Sequence, residues 1–464
     1  MQAGEKTYFG ISLFGFLFLL SLIMGFGLAE KTAPRWTRFE LDNGLVFFTQ
    51  EDHSTSMVSH HIFVRTGSRH ERPGITDISH FIEHLRWGGN PGEEPYEKTL
   101  QAIGGSTGGH TFPDFTDYID SAPGPALEMI IRSGTEFLAG LRTKDSRFHA
   151  ERDVLLSEDL LASQNPNYAA ICHLFSMAFQ SHPYKNPVGG WRSDLSSITL
   201  QDVQEYFKTY YAPGNVAVFL AGDFDTPRVA ALMARYYGTL PRGPAVPEVR
   251  TVEPAQDAEK RVRFMAPVSL PSVWVGYHVP GLAHEDVPAL QILNSLLCNG
   301  RNARLKAELI EKRKVASAVN PAGSESRQWR KDPSLLIIGL ALNAGFSAEE
   351  GEEALIEEIE KMRSDPIDED SLKRAVLREI TDRSTSIIYP EWQLWFVTSR
   401  TEEAGFYHAL SGDPDYALKL IEAYKKVTVE DVRRAAGKYL KPSNRSSVLM
   451  VPNQEVSMTE ENER

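Results

Sequence analysis

Two distant stretches of the chain follow one pattern. ITLQDVQEYFKTYYAPGNVAVFL begins at Ile198, and VTVEDVRRAAGKYLKPSNRSSVL begins at Val427. Thr199 matches Thr428, Asp202 matches Asp431 and Val203 matches Val432. Tyr210 matches Tyr439, Pro213 matches Pro442 and Asn215 matches Asn444. Each copy reads as a Thr-capped helix, a Pro-x-Asn turn and a strand. The copies lie on either side of a stretch punctuated by Pro241, Pro244, Pro247 and Pro254. The same unit closing both halves predicts duplication of a whole domain. A chain of 464 residues is long for one core and comfortable for two. We therefore expect a domain at 30–240, a linker at 241–258, a homologous domain at 259–452 and a disordered polar tail at 453–464.

Within the first half, Arg35 to Thr49 reads as strand–turn–strand about Asn43-Gly44. MVSHHIFVRTG predicts a strand ending at Gly67, and YEKTLQAIGG a helix closed by Gly104-Gly105. HTFPDFTDYIDSAP is one strand-like stretch. Helices are expected over Pro125 to Leu141, Ser146 to Ser163 and Thr199 to Tyr211, with a strand over Asn215 to Ala221. In the second half VWVGYHVPG and Leu335 to Leu342 read as strands. Ala289 to Asn299, Asn302 to Arg313, Ala348 to Ser364 and Asp368 to Ser386 read as helices. The expected class is α+β, with two homologous domains, each an antiparallel sheet packed with helices.

The chemistry is concentrated in five residues, His80-Phe81-Ile82-Glu83-His84, or H-x-x-E-H. On a helix His80 and His84 are i and i+4, so both imidazoles leave one face, and Glu83 lies on the same side. Two neutral imidazoles and a carboxylate at that spacing suit one divalent metal with a polarised water. The order is the inverted form of the H-E-x-x-H zinc motif. Thr76 is the expected N-cap with Asp77 in the first turn, and Gly88 and Gly89 the expected stop after Trp87.

A net charge of −13 argues against nucleic acid as a partner. Cys172 and Cys298, the two cysteines, sit in apolar surroundings and read as buried free thiols. Lys6 precedes an uncharged run from Tyr8 to Leu28 that ends Gly27-Leu28-Ala29. Residues 1–29 read as a secretory signal peptide, with an uncleaved membrane anchor as the alternative. Either way the body of the protein is expected outside the cytoplasm, most simply in a periplasm, and a membrane is involved only if the segment is retained.

H-x-x-E-H on a short helix, two related halves and this length resemble the M16 (pitrilysin/insulinase) metallopeptidases. The likeness is to the two-domain branch that includes the mitochondrial processing peptidase and bacterial homologues. GSRHERPG resembles the family's approach to the metal helix, and Thr111, Asp114, Thr116 and Tyr118 match its T-x-x-D-x-T-x-Y strand. The resemblance implies a third ligand at Glu158, a carboxylate at Glu151 that orients a ligating histidine, and Glu83 as the base that takes a proton from water. It further implies one Zn²⁺ per chain and a peptide substrate. Glu151 and Glu158 are i and i+7, on one helix face. His53, His60, His61 and His110 read as strand or loop histidines without a catalytic role.

Two departures stand out. Gly108 and Gly109 replace the family's asparagine–alanine pair that grips the substrate backbone, although main-chain pairing along the strand remains open. Active members also carry an arginine and a tyrosine seven residues apart in the second domain. The aligned positions here are Ile310 and Ser317. Arg400 and Tyr407 have the spacing but lie in another context, on an expected helix. The resemblance therefore implies a metal-bearing subunit completed by a homologous subunit with the Arg/Tyr pair. A non-catalytic assembly or peptide-binding subunit, and a membrane-anchored binding protein with a structural metal, are the alternatives.

Overall fold

The computed structural model describes residues 35–86, 95–320, 329–388 and 396–453. The N-terminal segment 1–29, the expected helix stop at Gly88 and Gly89, and nearly all of the tail lie outside these. The first sheet contains β1 (Thr37–Glu40), β2 (Val46–Glu51), β3 (Met57–Val64), β4 (Ser106–Thr111), β5 (Thr116–Pro123) and β6 (Val216–Gly222). The second contains β7 (Lys260–Ala266), β8 (Ser272–Val279), β9 (Ala316–Asn320), β10 (Ser334–Leu342) and β11 (Arg445–Pro452). Helices of the first half are α1 (Ile78–Arg86), α2 (Tyr96–Ala102), α3 (Leu127–Ala139), α4 (Asp145–Ser163), α5 (Pro166–Ala178), α6 (Arg192–Ser197), α7 (Leu200–Tyr210) and α8 (Thr226–Tyr236). Those of the second are α9 (Val287–Cys298), α10 (Ala348–Ser364), α11 (Glu369–Ile388), α12 (Phe396–Ser411), α13 (Tyr416–Tyr424) and α14 (Val429–Tyr439).

The duplication is visible in the strand order. The first sheet runs β1-β2-β6-β3-β5-β4 and the second β7-β11-β8-β10-β9. Without β1 the two paths are identical. The repeated unit closes each sheet in the same way. Thr199 and Asp202 exchange hydrogen bonds across the start of α7, and Thr428 and Asp431 do so at α14. Asn215 donates its amide to the Tyr210 carbonyl at 2.8 Å, and Asn444 to that of Tyr439 at 2.7 Å. Both amides satisfy a helix-end carbonyl, which fixes the turn into the final strand.

The sheets are not wholly antiparallel, which corrects that part of the expectation. β6 pairs parallel with β2, and β11 parallel with β7. The last strand of each half returns beside its first core strand, and the rest of the half forms the long crossover that a parallel pair requires. HTFPDFTDYIDSAP is also two strands rather than one. Pro113 supplies no N–H to a ladder, and the chain turns there, with Phe112 N–H donating to the Phe115 carbonyl.

Each half lends a helix to the other. α5 lies on the second sheet, where Leu174 fills the space over Gly276 and joins Trp274, Ile337 and Val448 in one cluster. α12 lies on the first sheet. Thr401 meets Ser59 at 3.1 Å, and His408 meets the rings of Phe48 and Phe219. Gly405 passes so close to Phe63 that a Cβ would stand 1.9 Å from the ring.

Asp286, just before α9, ties that helix to α14. It accepts from Lys438 at 2.8 Å, Tyr439 at 2.7 Å and Arg434. Burial alone would raise its pKa, but those three partners overcome it and hold the carboxyl well below the usual range. Asp286→Asn should lower stability by about 1–2 kcal/mol at pH 7, since the half-exposed cations are screened. A depressed carboxylate stabilises fully above its unfolded pKa, so the gap to wild type should begin to narrow as the pH falls below about 4 and shrink steadily toward the depressed folded pKa, as read in urea titrations.

Candidate metal centre

α1 enters through an unusual turn. Asp77 has a φ of 78°, in the left-handed region. The side chain of Glu71 caps the helix from outside, accepting from Asp77 N–H at 2.7 Å and Ser79 N–H at 2.9 Å. Thr76 is therefore not the N-cap. Its hydroxyl donates to Asp194 at 2.8 Å and accepts from the Trp191 N–H at 2.9 Å. Burial raises Glu71 to about 7, against those two N–H bonds. Glu71→Gln keeps the shape but turns an NH₂ toward one of the two N–H groups. It should cost about 1–2 kcal/mol of stability, read by denaturant unfolding.

The candidate ligands converge. Ligating atoms of His80, His84 and Glu158 all lie within 4.8 Å of one another. Nε2 of His80 is 3.7 Å from Glu158 Oε2, and Nε2 of His84 is 3.6 Å from the same oxygen. The two rings stand nearly perpendicular, with centroids 4.8 Å apart. Each Nδ1 faces another carboxylate. His80 meets Asp77 at 3.1 Å, and His84 meets Glu151 at 3.1 Å, with Arg147 on the other Glu151 oxygen at 2.6 Å. This leaves both Nε2 atoms free to ligate. Burial disfavours a charged His80 ring, but Asp77, Glu83 and Glu158 outweigh it and hold it up to about 9.

Glu83 stands outside the trio. It is buried and accepts from the Thr111 hydroxyl at 2.6 Å. Burial pushes its carboxyl upward, opposed by His80 and Thr111. Two nitrogens and one carboxylate oxygen fit a divalent transition ion with room for a further ligand, and no fourth protein donor joins them among the described residues.

Sequence reasoning missed Asp77 as the partner of His80, and Glu71 as the cap. An aspartate three residues before a motif histidine was the available signal for the first. The remaining histidines stay apart from the trio. His60 is bonded to Tyr237, His61 to Thr401 with Asp117 3.4 Å from its other nitrogen, His110 to Asp117, and His53 to Asp223. Ile310 packs against the second-half core from a helical turn, and Ser317 bonds the Ala341 carbonyl from β9. Arg400 is paired with Asp52, and Tyr407 is 1% exposed. Cys172 and Cys298 are free thiols. No helix among the described residues is long and apolar enough to cross a membrane.

Comparison with known proteins agrees with this fold. The zinc protease PqqE of Helicobacter pylori is 26% identical over 437 residues, spanning 91% of this chain and 94% of that protein. A probable mitochondrial-processing peptidase subunit beta of Arabidopsis thaliana is 25% identical over 57% of this chain and 51% of that one. The crystal structure of a protease from Helicobacter pylori superposes with a TM-score of 0.83 at 23% identity, covering 90% of this chain and 100% of that chain. Residues 46–190 match the family described as insulinase (peptidase family M16), and residues 197–378 the peptidase M16 inactive domain. With both halves of its fold matched in order, this chain belongs to the M16 peptidase family.

Proposed function

We propose that the chain is a zinc-dependent endopeptidase subunit that cleaves peptides or unfolded segments. The observation that carries this is the convergence of His80, His84 and Glu158, with Glu83 buried beside them and uncommitted to the trio. His80, His84 and Glu158 would hold one ion, and relatives named zinc proteases support zinc. When bound, such an ion acidifies water and polarises a peptide carbonyl. Asp77 and Glu151 hold the two imidazoles by Nδ1, so that Nε2 is presented. Glu83 takes a proton on its carboxylate and later returns it to the leaving amine. Its upward shift suits both tasks.

Ile310 and Ser317 supply neither a cation nor a phenol to a developing oxyanion. A homologous subunit carrying an Arg/Tyr pair would supply both. The Arabidopsis relative is itself named a subunit. The same two residues favour the second reading, a non-catalytic assembly or peptide-binding subunit. A structural metal in an anchored binding protein fits less well, because structural zinc sites fill four positions with protein ligands. We further propose domains at 30–240 and 259–452 with 241–258 as linker, and an exported, periplasmic location set by residues 1–29.

Hydrolysis of a quenched fluorescent peptide library by the zinc-loaded mature chain tests the proposal, alone and mixed with such a subunit. Activity only in the mixture supports the split site. Strong activity from this chain alone removes the need for a partner. No cleavage in either case leaves the non-catalytic reading.

A further inference from the structure

The chain approaches α1 through a turn at residues 67–71, and that turn is bound to the loop between β4 and β5. Ser68 N–H donates to the Phe112 carbonyl at 3.3 Å, and Arg69 N–H to that of Pro113 at 3.1 Å. Gly67 comes so close to the loop that a Cβ would stand 1.9 Å from the Phe112 oxygen. These two segments carry the supports of the site. Glu71, at the end of the turn, caps α1. Thr111, where β4 runs into the loop, donates to Glu83. Moving either segment disturbs the other.

A buried side chain joins both segments to the second half. Arg69 is 7% exposed, and its Nη1 lies 3.0 Å from Asp114 in the β4–β5 loop and 2.6 Å from Asp332, two residues before β10. Lys331 N–H donates to the other oxygen of Asp114 at 3.1 Å. Tyr184, in the turn after α5, donates its hydroxyl to Asp114 at 2.7 Å and accepts from Asp332 N–H at 3.2 Å. His182 meets the same Asp332 oxygen that Arg69 uses, at 3.1 Å. Burial works against charge on Asp332, but His182, Arg69 and Lys331 outweigh it and hold the carboxyl below the usual range. Hydrogen bonds between charged groups in a buried setting are short and directional, so this junction is stiff.

We infer that Asp332 is a positioning residue for the proposed reaction: through Arg69 and Asp114, the second half sets where α1 begins and where Glu83 is held. The inference rests on the peptidase reading and gives a task in it to the half that carries none of the converging trio. Asp332 touches neither His80 nor Glu83. It acts by fixing the turn that ends in Glu71 and the loop that follows Thr111. Proton transfer by Glu83 needs hydrogen-bond reach, and a misplacement of about 1 Å can cost on the order of a hundredfold in rate.

The test uses the full zinc-loaded chain, with the homologous subunit added where cleavage needs it. Asp332→Ala, Arg69→Met and the double variant are compared with wild type. Asp332→Ala should lose about tenfold or more in kcat with KM little changed, as expected of misplaced reacting groups rather than weakened binding. Asp332→Asn keeps an oxygen for Arg69 and His182 and should retain most of the turnover. The double variant should fall no further than the worse single variant, because the two residues act as one unit. Asp286→Asn removes a carboxylate elsewhere in the second half. It controls for stability alone and should keep wild-type kcat. A second readout needs no cleavage. In backbone amide exchange followed by mass spectrometry, peptides covering 71–82 should exchange about tenfold faster in Asp332→Ala than in wild type, and at the wild-type rate in Asp286→Asn.

Wild-type kcat and wild-type exchange over 71–82 in Asp332→Ala overturn the inference. So does a loss that Asp286→Asn reproduces, which makes it one of stability, and so does a double variant in which the two losses multiply. Lost turnover with unchanged exchange overturns the route through the turn. Absence of Glu83-dependent cleavage under every condition removes the peptidase reading, and with it the reaction that Asp332 would serve. Faster exchange in Asp332→Ala would then still show that Asp332 holds the turn.

Discussion

Glu83→Gln should bind zinc as the wild type does and lose at least about a hundredfold in peptide hydrolysis, reaching several thousandfold if acid and base steps both pass through it. Nearly the same volume is kept, and the Thr111 hydroxyl still finds an acceptor at the amide oxygen. What disappears is the capacity to take up and return a proton. Because Glu83 is not among the three converging residues proposed to hold the ion, metal content should be unchanged. The pairing of full zinc occupancy with lost turnover is the result to look for, by elemental analysis and single-turnover assay. A variant that loses zinc as well would show Glu83 holding the ion, and the assignment of its role would be wrong. A variant with wild-type turnover would leave the trio without a base.

The second large effect concerns the other end of the same helix. Arg86, the last residue of α1, is buried with its guanidinium 2.6 Å from Asp120 on β5. It lies 5.2 Å from the ring centre of Tyr118 and 5.3 Å from that of Phe137. Asp120 is fully buried, and burial would raise its pKa, yet Arg86 and the neighbouring His60 and Thr107 hold it low. Arg86→Met would keep much of the aliphatic volume and leave the carboxylate without its charge partner. Removing one member of such a pair should cost about 3–5 kcal/mol. Arg86→Met/Asp120→Asn should recover much of that, because no charge then remains inside. Denaturant unfolding of the three proteins measures both steps. Equal losses in the single and double variants would mean that packing on Tyr118 and Phe137, rather than charge, is what Arg86 contributes.

How legible the fold was depended on where the information lay. The capping boxes at Thr199 and Thr428 and the asparagines after them act within a few residues, so the matching units were readable, and with them the duplication. α10 and the hairpin about Asn43-Gly44 were equally plain, for the same reason. The parallel pairing of β6 with β2 was not, because it joins strands from opposite ends of a half. β7 and β9 carry little local signal: one follows a proline-rich stretch and the other is short and only partly apolar. α5 escaped because its apolar residues are spread over several faces, and one of those faces is spoken for by a sheet far along the chain.

The site divides in the same way. His80, Glu83 and His84 are local and were legible from spacing. Glu151 and Glu158 came through family likeness, and the structure brings both to the histidines. Glu71 lay inside a matched motif without a role. Its function appears only when the chain between residues 71 and 77 folds back to point two N–H groups at one carboxylate.

The mutual loan of helices sets a problem for biosynthesis. A chain emerges from the ribosome N-terminus first. The face of the first sheet that carries Ser59, Phe63 and Phe219 is complete once β6 has been made, but its cover, α12, is translated much later. At ordinary elongation rates that interval is on the order of ten seconds. During it, α5 is likewise present with no sheet to lie on. The nascent first half thus carries two apolar surfaces awaiting partners that do not yet exist. A chaperone that holds unfolded chains would meet them, and so would a secretion apparatus that accepts its cargo before folding is complete.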